Sequence, residues 1–420
     1  GAGVNPSSSV AVGYGASRYA QGNNNVSLGH SALKGAAGFS GTNNIAIGYE
    51  SFDAVGAGES SNIIIGMAAG GAFDEGDNGT IDNNVAIGTD AFLGGDLNTA
   101  STSVTGNIVI GSNAMNSTGT NAQTGTIAIG HDSLTALTSG VRNTAIGYRS
   151  GQSLASSSDC LLVGYEAGRD MDSLGTTPQS CTYIGGYAGR YLDDGTLNTA
   201  VGHGAMEGTT GGSSCSENVA VGHHSLTAIT SGDYNTSIGA DSLKSITTQS
   251  NNTAVGFKAG EDSTGADNTF IGYLAGKLVT GTDNVAVGMN ALVDLVEGSS
   301  NVAIGNSAFG GALNTDADAS NDNVFIGRSA GGGGWTSPVS NKNIGIGSYS
   351  MNAAMAGALS NIAMGYDSLG ELTTGDANVA IGAYYDGTYK GAMHVNTVGS
   401  FNIAIGSGAL QTANEDDNDG

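Results

Sequence analysis

The side chains able to do chemistry in this 420-residue chain are few: three cysteines, six histidines and 37 carboxylates. Cys160, Cys181 and Cys215 have neither the C-x-x-C spacing nor the nearby histidines of a zinc site. His203 and His223 occupy the same place in neighbouring repeats, but no column of Cys, Asp or Glu supplies the remaining ligands. The acidic stretch AFDEGDNGTIDNN (Asp74, Glu75, Asp77, Asp82) is not in calcium-loop order. NTDADASNDN, with Asp316 and Asp318, alternates oxygen donors and comes closer. It lacks the central glycine and final glutamate of an EF-hand loop, so calcium is the one ion the sequence suggests, against a favoured reading as solvated loop. Glycoside hydrolysis needs two carboxylates at a fixed separation, whereas these lie in segments that change from repeat to repeat. No enzyme is expected, and no cofactor. Trp335 in GGGGWTSPVS and Tyr389 in DGTYKGAMHVNTVGS are candidate surface contacts for a sugar face; the alternative is that they cover a neighbouring repeat.

What must position all of these is a repeat. NNIAIGYESF (Asn43 to Phe52) returns in close variants along the whole chain, and taking Gly48 as position zero gives 22 units spaced 16 to 24 residues apart. A period near 20 over the full length predicts a solenoid-like stack of supersecondary units. Each unit carries a β-branched, alternating run that ends in glycine, which reads as a short strand followed by a turn. The chain is therefore expected to be all-β, a parallel β-roll or β-solenoid of about 22 rungs. It is expected to be one repeat domain over 1–420, with rungs from about 9 to 410 and an acidic tail over 411–420.

The columns give the expected roles. Gly48, Gly147, Gly256, Gly305 and Gly406 are motif glycines, and Ile45, Ile47, Ile146, Val255, Ile304 and Ile405 are the aliphatic residues of the repeat core beside them. Asn stands at minus four in 18 of the 22 units, among them Asn44, Asn84, Asn143, Asn252, Asn301 and Asn402. Stacked in parallel strands, these form a side-chain amide ladder. Cys160 and Cys181 replace that Asn in consecutive units. Strand spacing brings their Cα atoms to about 4.8 Å, within disulfide range, so a bridge and two unpaired thiols both stand as readings; Cys215 is expected free.

Two further columns vary together. Six units are large at minus two (Ile64, Val109, Leu162, Tyr183, Phe270, Phe325), and in all of them but that of Val109 the residue four after the glycine is Gly. Where minus two is small, plus four is in most units a large apolar residue such as Leu33, Phe52, Phe92 or Leu134. Two side chains sharing one space would give this pattern, as would two repeat subfamilies by descent. An aromatic or imidazole column (Tyr14, His30, Tyr49, Tyr148, Tyr165, Tyr273) follows the glycine and is expected to stack rung on rung.

A net charge of -25 with only 12 basic residues disfavours nucleic acid and anionic membranes as partners, and no apolar run is long enough to insert in a membrane. It suits an extracellular, cell-surface or virion-surface setting in which salt screens the self-repulsion. Sequons such as Asn25-Val-Ser and Asn78-Gly-Thr are candidate glycan sites. The first residue is Gly1, so a removed leader or a fragment is expected.

Units such as NNIAIGYES, NTAIGYRSG, NVAVGMNAL and NIAIGSGAL resemble the head repeats of trimeric autotransporter adhesins (the YadA-like family), which also occur in viral tail fibres. The resemblance implies left-handed β-rolls in a homotrimer and a structural, adhesive fibre whose loops contact a receptor or glycan. The motif strand is apolar on both faces, so one face needs cover from another chain. The alternative expectation is a self-polymerising filament stacked head to tail, because ordinary rungs lie close to both termini. A polysaccharide-degrading spike is the third.

Overall fold

The computed structural model describes residues 8–35, 38–56, 58–71, 80–94, 103–118, 121–171, 180–311, 319–384 and 390–411. The chain divides into two compact units, 1–217 and 218–420. Both are built as all-β parallel β-solenoid, about 19 turns in all, with no helix among the described residues.

Each motif glycine directly follows a three-residue strand. In the first unit these strands run from Val10–Val12 to Thr199–Val201, and in the second from Val219–Val221 to Ile403–Ile405. Within a unit, each strand pairs in parallel with its counterpart one coil on, column against column, as Ile45↔Ile63 and Ala46↔Ile64 or Val285↔Val302 and Ala286↔Ala303. The period of 16 to 24 residues thus becomes a register in which every column stacks on itself. The first unit adds a second parallel sheet where its coils are long, from Thr80–Asp82, Ser103–Thr105 and Gln123–Thr124.

Corners are made by backbone that the sequence does not advertise. Residues five before, two after and four after the motif glycine sit at positive φ even when they are not glycine; in one coil these are Asn251 (62°), Lys258 (56°) and Gly260 (60°). The motif glycine has a different φ, near 138°, which a side chain rarely adopts. It also has no room for one, since a Cβ on Gly256 would lie 2.4 Å from the carbonyl oxygen of Gly272 in the next coil.

The interior is narrow. In the motif strands after the first, the middle residue is the one that points in: Ala46, Ala145, Ala254 and Ala303 are fully buried, as are the large side chains at plus four, Leu33, Phe52, Phe92, Leu134, Met206 and Leu226. The residues expected as repeat core divide differently. Ile45, Ile47 and Val255 are half-exposed, Ile146 and Ile304 are 38% and 37% exposed, and Ile405 is 70% exposed. These aliphatic residues line the outside of the sheet rather than its core, because strand alternation sends minus three and minus one to the face opposite the enclosed Ala.

Candidate functional site

The described side chains form three arrangements that bear on function: an internal amide ladder, an outward aliphatic face and an aromatic column beside it. The ladder is buried. Asn301 illustrates a complete rung: its backbone N–H donates to Asn284 Oδ1 (3.0 Å), and its Nδ2 donates to Asn284 Oδ1 (3.1 Å) and to the Ser320 carbonyl (2.9 Å). Its own Oδ1 accepts from the N–H and Nδ2 of Asn323. Asn44, Asn84, Asn252 and Asn402 donate their N–H to the ladder Asn before them in the same way, and Asn143 Nδ2 donates to the Ser157 carbonyl. Every lone pair and proton of the Asn301 side-chain amide is thereby used. Asn25 is a member too, 1% exposed, so its sequon is closed to glycan addition in the fold; Asn78 lies outside the described residues.

Cys160 and Cys181 take ladder positions, and of the two readings the disulfide is not the one found: all three cysteines are buried and none forms a disulfide. Cys181 Sγ donates to the Gly195 carbonyl (3.4 Å), which is the contact that Asn143 Nδ2 makes with Ser157. Cys160 Sγ contacts the Ser158 carbonyl (3.6 Å), and Cys160 N–H donates to Asn143 Oδ1 (3.0 Å). In-register stacking thus points each thiol at a carbonyl in place of the amide it replaces. Burial, with Cys181 adding to it, pushes the Cys160 thiol up to about 12, and burial raises Cys181 as well. Such thiols are poor nucleophiles and poor metal ligands at neutral pH.

Trp335 is corrected as well, since it is fully buried. Its ring sits 4.4 Å from Phe309 and 5.6 Å from Phe325. Trp335 thus covers its neighbouring coils, the alternative reading, and the large aromatic surface gains from burial. Tyr389, Asp316 and Asp318 lie outside the described residues. Asp82 serves the fold, accepting the Ser60 N–H (2.6 Å).

The outward face is aliphatic. In the first unit Ile63, Ile108, Ile146 and Ile184 repeat along it, and in the second Ile238, Ile271, Ile304, Met364 and Ile381, each more than a third exposed. Beside them runs the aromatic column: Tyr14, His30 and Tyr49 stack at 5.3 and 5.1 Å, and His131, Tyr148 and Tyr165 at 5.6 and 5.2 Å. Phe257 and Tyr273 stack at 5.6 Å in the second unit. His203 and His223 fall one in each unit.

One charged cluster escaped the sequence reading. Glu166, 5% exposed, accepts from Arg169 (3.0 Å) and Arg190 (2.7 Å), and the Arg190 guanidinium lies 4.8 Å from the ring centres of both Tyr187 and Tyr191. The hydrogen bond that the Arg169 guanidinium donates to Asp170 raises the Arg169 pKa. These residues recur at coil spacing on one side, a signal visible only once the register is fixed.

No protein-family model matches the chain, and no curated protein matches it. The resemblance to adhesin heads rests on the motif.

Proposed function

We propose that this chain is a non-enzymatic structural fibre protein, a homotrimer whose outward aliphatic faces cover one another, with the variable loops left free to attach to a receptor or glycan. The observation that supports it most is the stripe of half-exposed Ile, Val and Met that repeats coil after coil in both units. Isolated surface apolar residues are ordinary, but a contiguous apolar stripe on a protein this acidic is a site for protein contact. The charge of -25 favours a partner that is neither nucleic acid nor an anionic membrane. Among the described residues no helix is long and apolar enough to cross a membrane. The setting we propose is extracellular, on a cell or virion surface.

Buried polar groups support a structural role. Besides the ladder, serines three after the motif glycine donate to the next coil, as Ser150 Oγ to the Leu162 carbonyl (3.0 Å) and Ser368 Oγ to the Ala380 carbonyl (3.0 Å).

Multi-angle light scattering of the purified chain tests the proposal. Three times the 41.3 kDa chain mass is the expected result, and a monodisperse monomer at micromolar concentration overturns it. Electron microscopy of concentrated protein distinguishes discrete rods from the head-to-tail filament that is the second reading, and a glycan-cleavage assay is expected to be negative.

A further inference from the structure

Two asparagines of the buried ladder also head N-glycosylation sequons, Asn25-Val26-Ser27 in the first unit and Asn235-Thr236-Ser237 in the second. Asn25 Nδ2 donates to the carbonyls of Gly22 (3.1 Å) and Gly41 (2.8 Å), and its Oδ1 accepts the Asn44 N–H (2.9 Å). Asn235 Nδ2 donates to Asn218 Oδ1 (3.1 Å) and to the Gln249 carbonyl (3.0 Å), and its Oδ1 accepts the Asn252 N–H (3.0 Å). The two sequon serines are the middle residues of their strands and are fully buried as well.

N-glycosylation replaces one Nδ2 proton by a sugar ring. At Asn25 and Asn235 both protons point at a protein acceptor 2.8 to 3.1 Å away, so the ring would have to occupy space that the next or preceding coil fills. A bulky, strongly hydrated saccharide does not follow the amide into a close-packed interior. Oligosaccharide is transferred to the extended chain before it folds, so burial in the finished coil gives these sites no protection. A third sequon, Asn251-Asn252-Thr253, differs: Asn251 is exposed, and its Nδ2 donates to Asp267 Oδ1 (2.9 Å) at the surface, which leaves its other proton toward solvent. The fold thus accepts a glycan at Asn251 and is incompatible with one at either ladder position.

We infer that this chain folds in a compartment where no N-linked oligosaccharide is transferred, and that it reaches its place of action already folded or by a route that avoids such transfer. Two sites in separate units carry the inference, and modification of either one is enough to block its coil. A fibre assembled inside a cell and released with a particle meets this condition. A fibre secreted through a glycosylating lumen does not.

Expression of the full chain in a bacterial cytosol and through a eukaryotic secretory lumen tests this. Mass spectrometry after enzymatic glycan removal reads site occupancy, and the cooperative thermal transition in circular dichroism reads folding. The cytosolic chain is expected to melt cooperatively, whereas the lumenal chain should carry glycan on Asn25 or Asn235 and lose the transition. Ser27→Ala with Ser237→Ala removes both sequons and places in each strand the residue that Ala46, Ala145 and Ala254 supply in others. Made in the lumen, this double variant should regain the transition while keeping glycan on Asn251. Should it fail to fold even in the cytosol, wild-type chain made in the lumen under an inhibitor of oligosaccharide transfer takes its place, with the same recovery expected. A lumenal wild-type chain that folds, its ladder asparagines modified or skipped, overturns the inference. So does a lumenal chain that stays unfolded with both sites free of glycan.

Discussion

A Cβ added to Gly276 would fall 2.1 Å from Cδ1 of Phe270, which points into the core from the strand of the same coil. The same holds down the column: Gly331 would meet Phe325 at 2.7 Å, and Gly168 would meet Leu162 at 2.9 Å. The two positions share one volume. Gly276→Ala should therefore destabilise by about 1–3 kcal/mol through overpacking and strain at φ +59°. Combining it with Phe270→Leu should recover part of the loss, leaving the strain. Thermal unfolding of the two singles and the double is the measurement, and strict additivity would refute a shared volume.

The motif glycine is under a harder constraint, because backbone rather than a flexible side chain occupies the space. Gly256→Ala is expected to cost more than Gly276→Ala and to reduce the yield of folded protein. Comparing the two variants by soluble yield and melting temperature ranks them, and equal tolerance would contradict the close approach of Gly272.

Asn301→Ala should cost about 2–4 kcal/mol, because it removes the donors to Asn284 and Ser320 and leaves the buried Asn323 N–H without an acceptor. Thr is expected to be milder than Ala, given that Thr126 serves as a ladder member and still donates its N–H to Asn107 Oδ1 (2.9 Å). Chemical denaturation of Asn301→Ala and Asn301→Thr tests the order.

The Cys160 thiol should be slow to react with a disulfide reagent at pH 8 in the native protein and fast once unfolded. With its pKa raised from 9.0 to about 12, the unfolded state releases this proton first as pH rises. Between about pH 9 and 12 the folded state thus binds more protons than the unfolded one. Stability falls with rising pH in that window, by up to about 1.4 kcal/mol per pH unit from this group. Cys160→Ser should flatten the slope, and non-reducing mass spectrometry should find all three thiols free.

Neighbouring residues on one strand should behave oppositely. Ile304→Lys lies on the outward face and should leave the fold intact while dissociating the proposed trimer, whereas Ala303→Leu points into the filled interior and should unfold the coil. Circular dichroism and light scattering on both variants separate folding from association.

The sequence by itself determined the repeat, the strand before each glycine, the parallel stacking of columns and the pairing of large with small residues across minus two and plus four. All of these follow from local chemistry repeated at a fixed period, and periodicity survives in one dimension. Tertiary structure decided which face of the strand is enclosed. Alternation separates Ala303 from Ile304, but both are apolar, and only closure of the coil shows that the narrow interior takes the alanine. The same closure decided that Trp335 turns inward over Phe309, since a run of glycines leaves direction open and packing supplies it. It decided that Cys160 and Cys181 each face a carbonyl, because orientation within the ladder is set by the amides above and below.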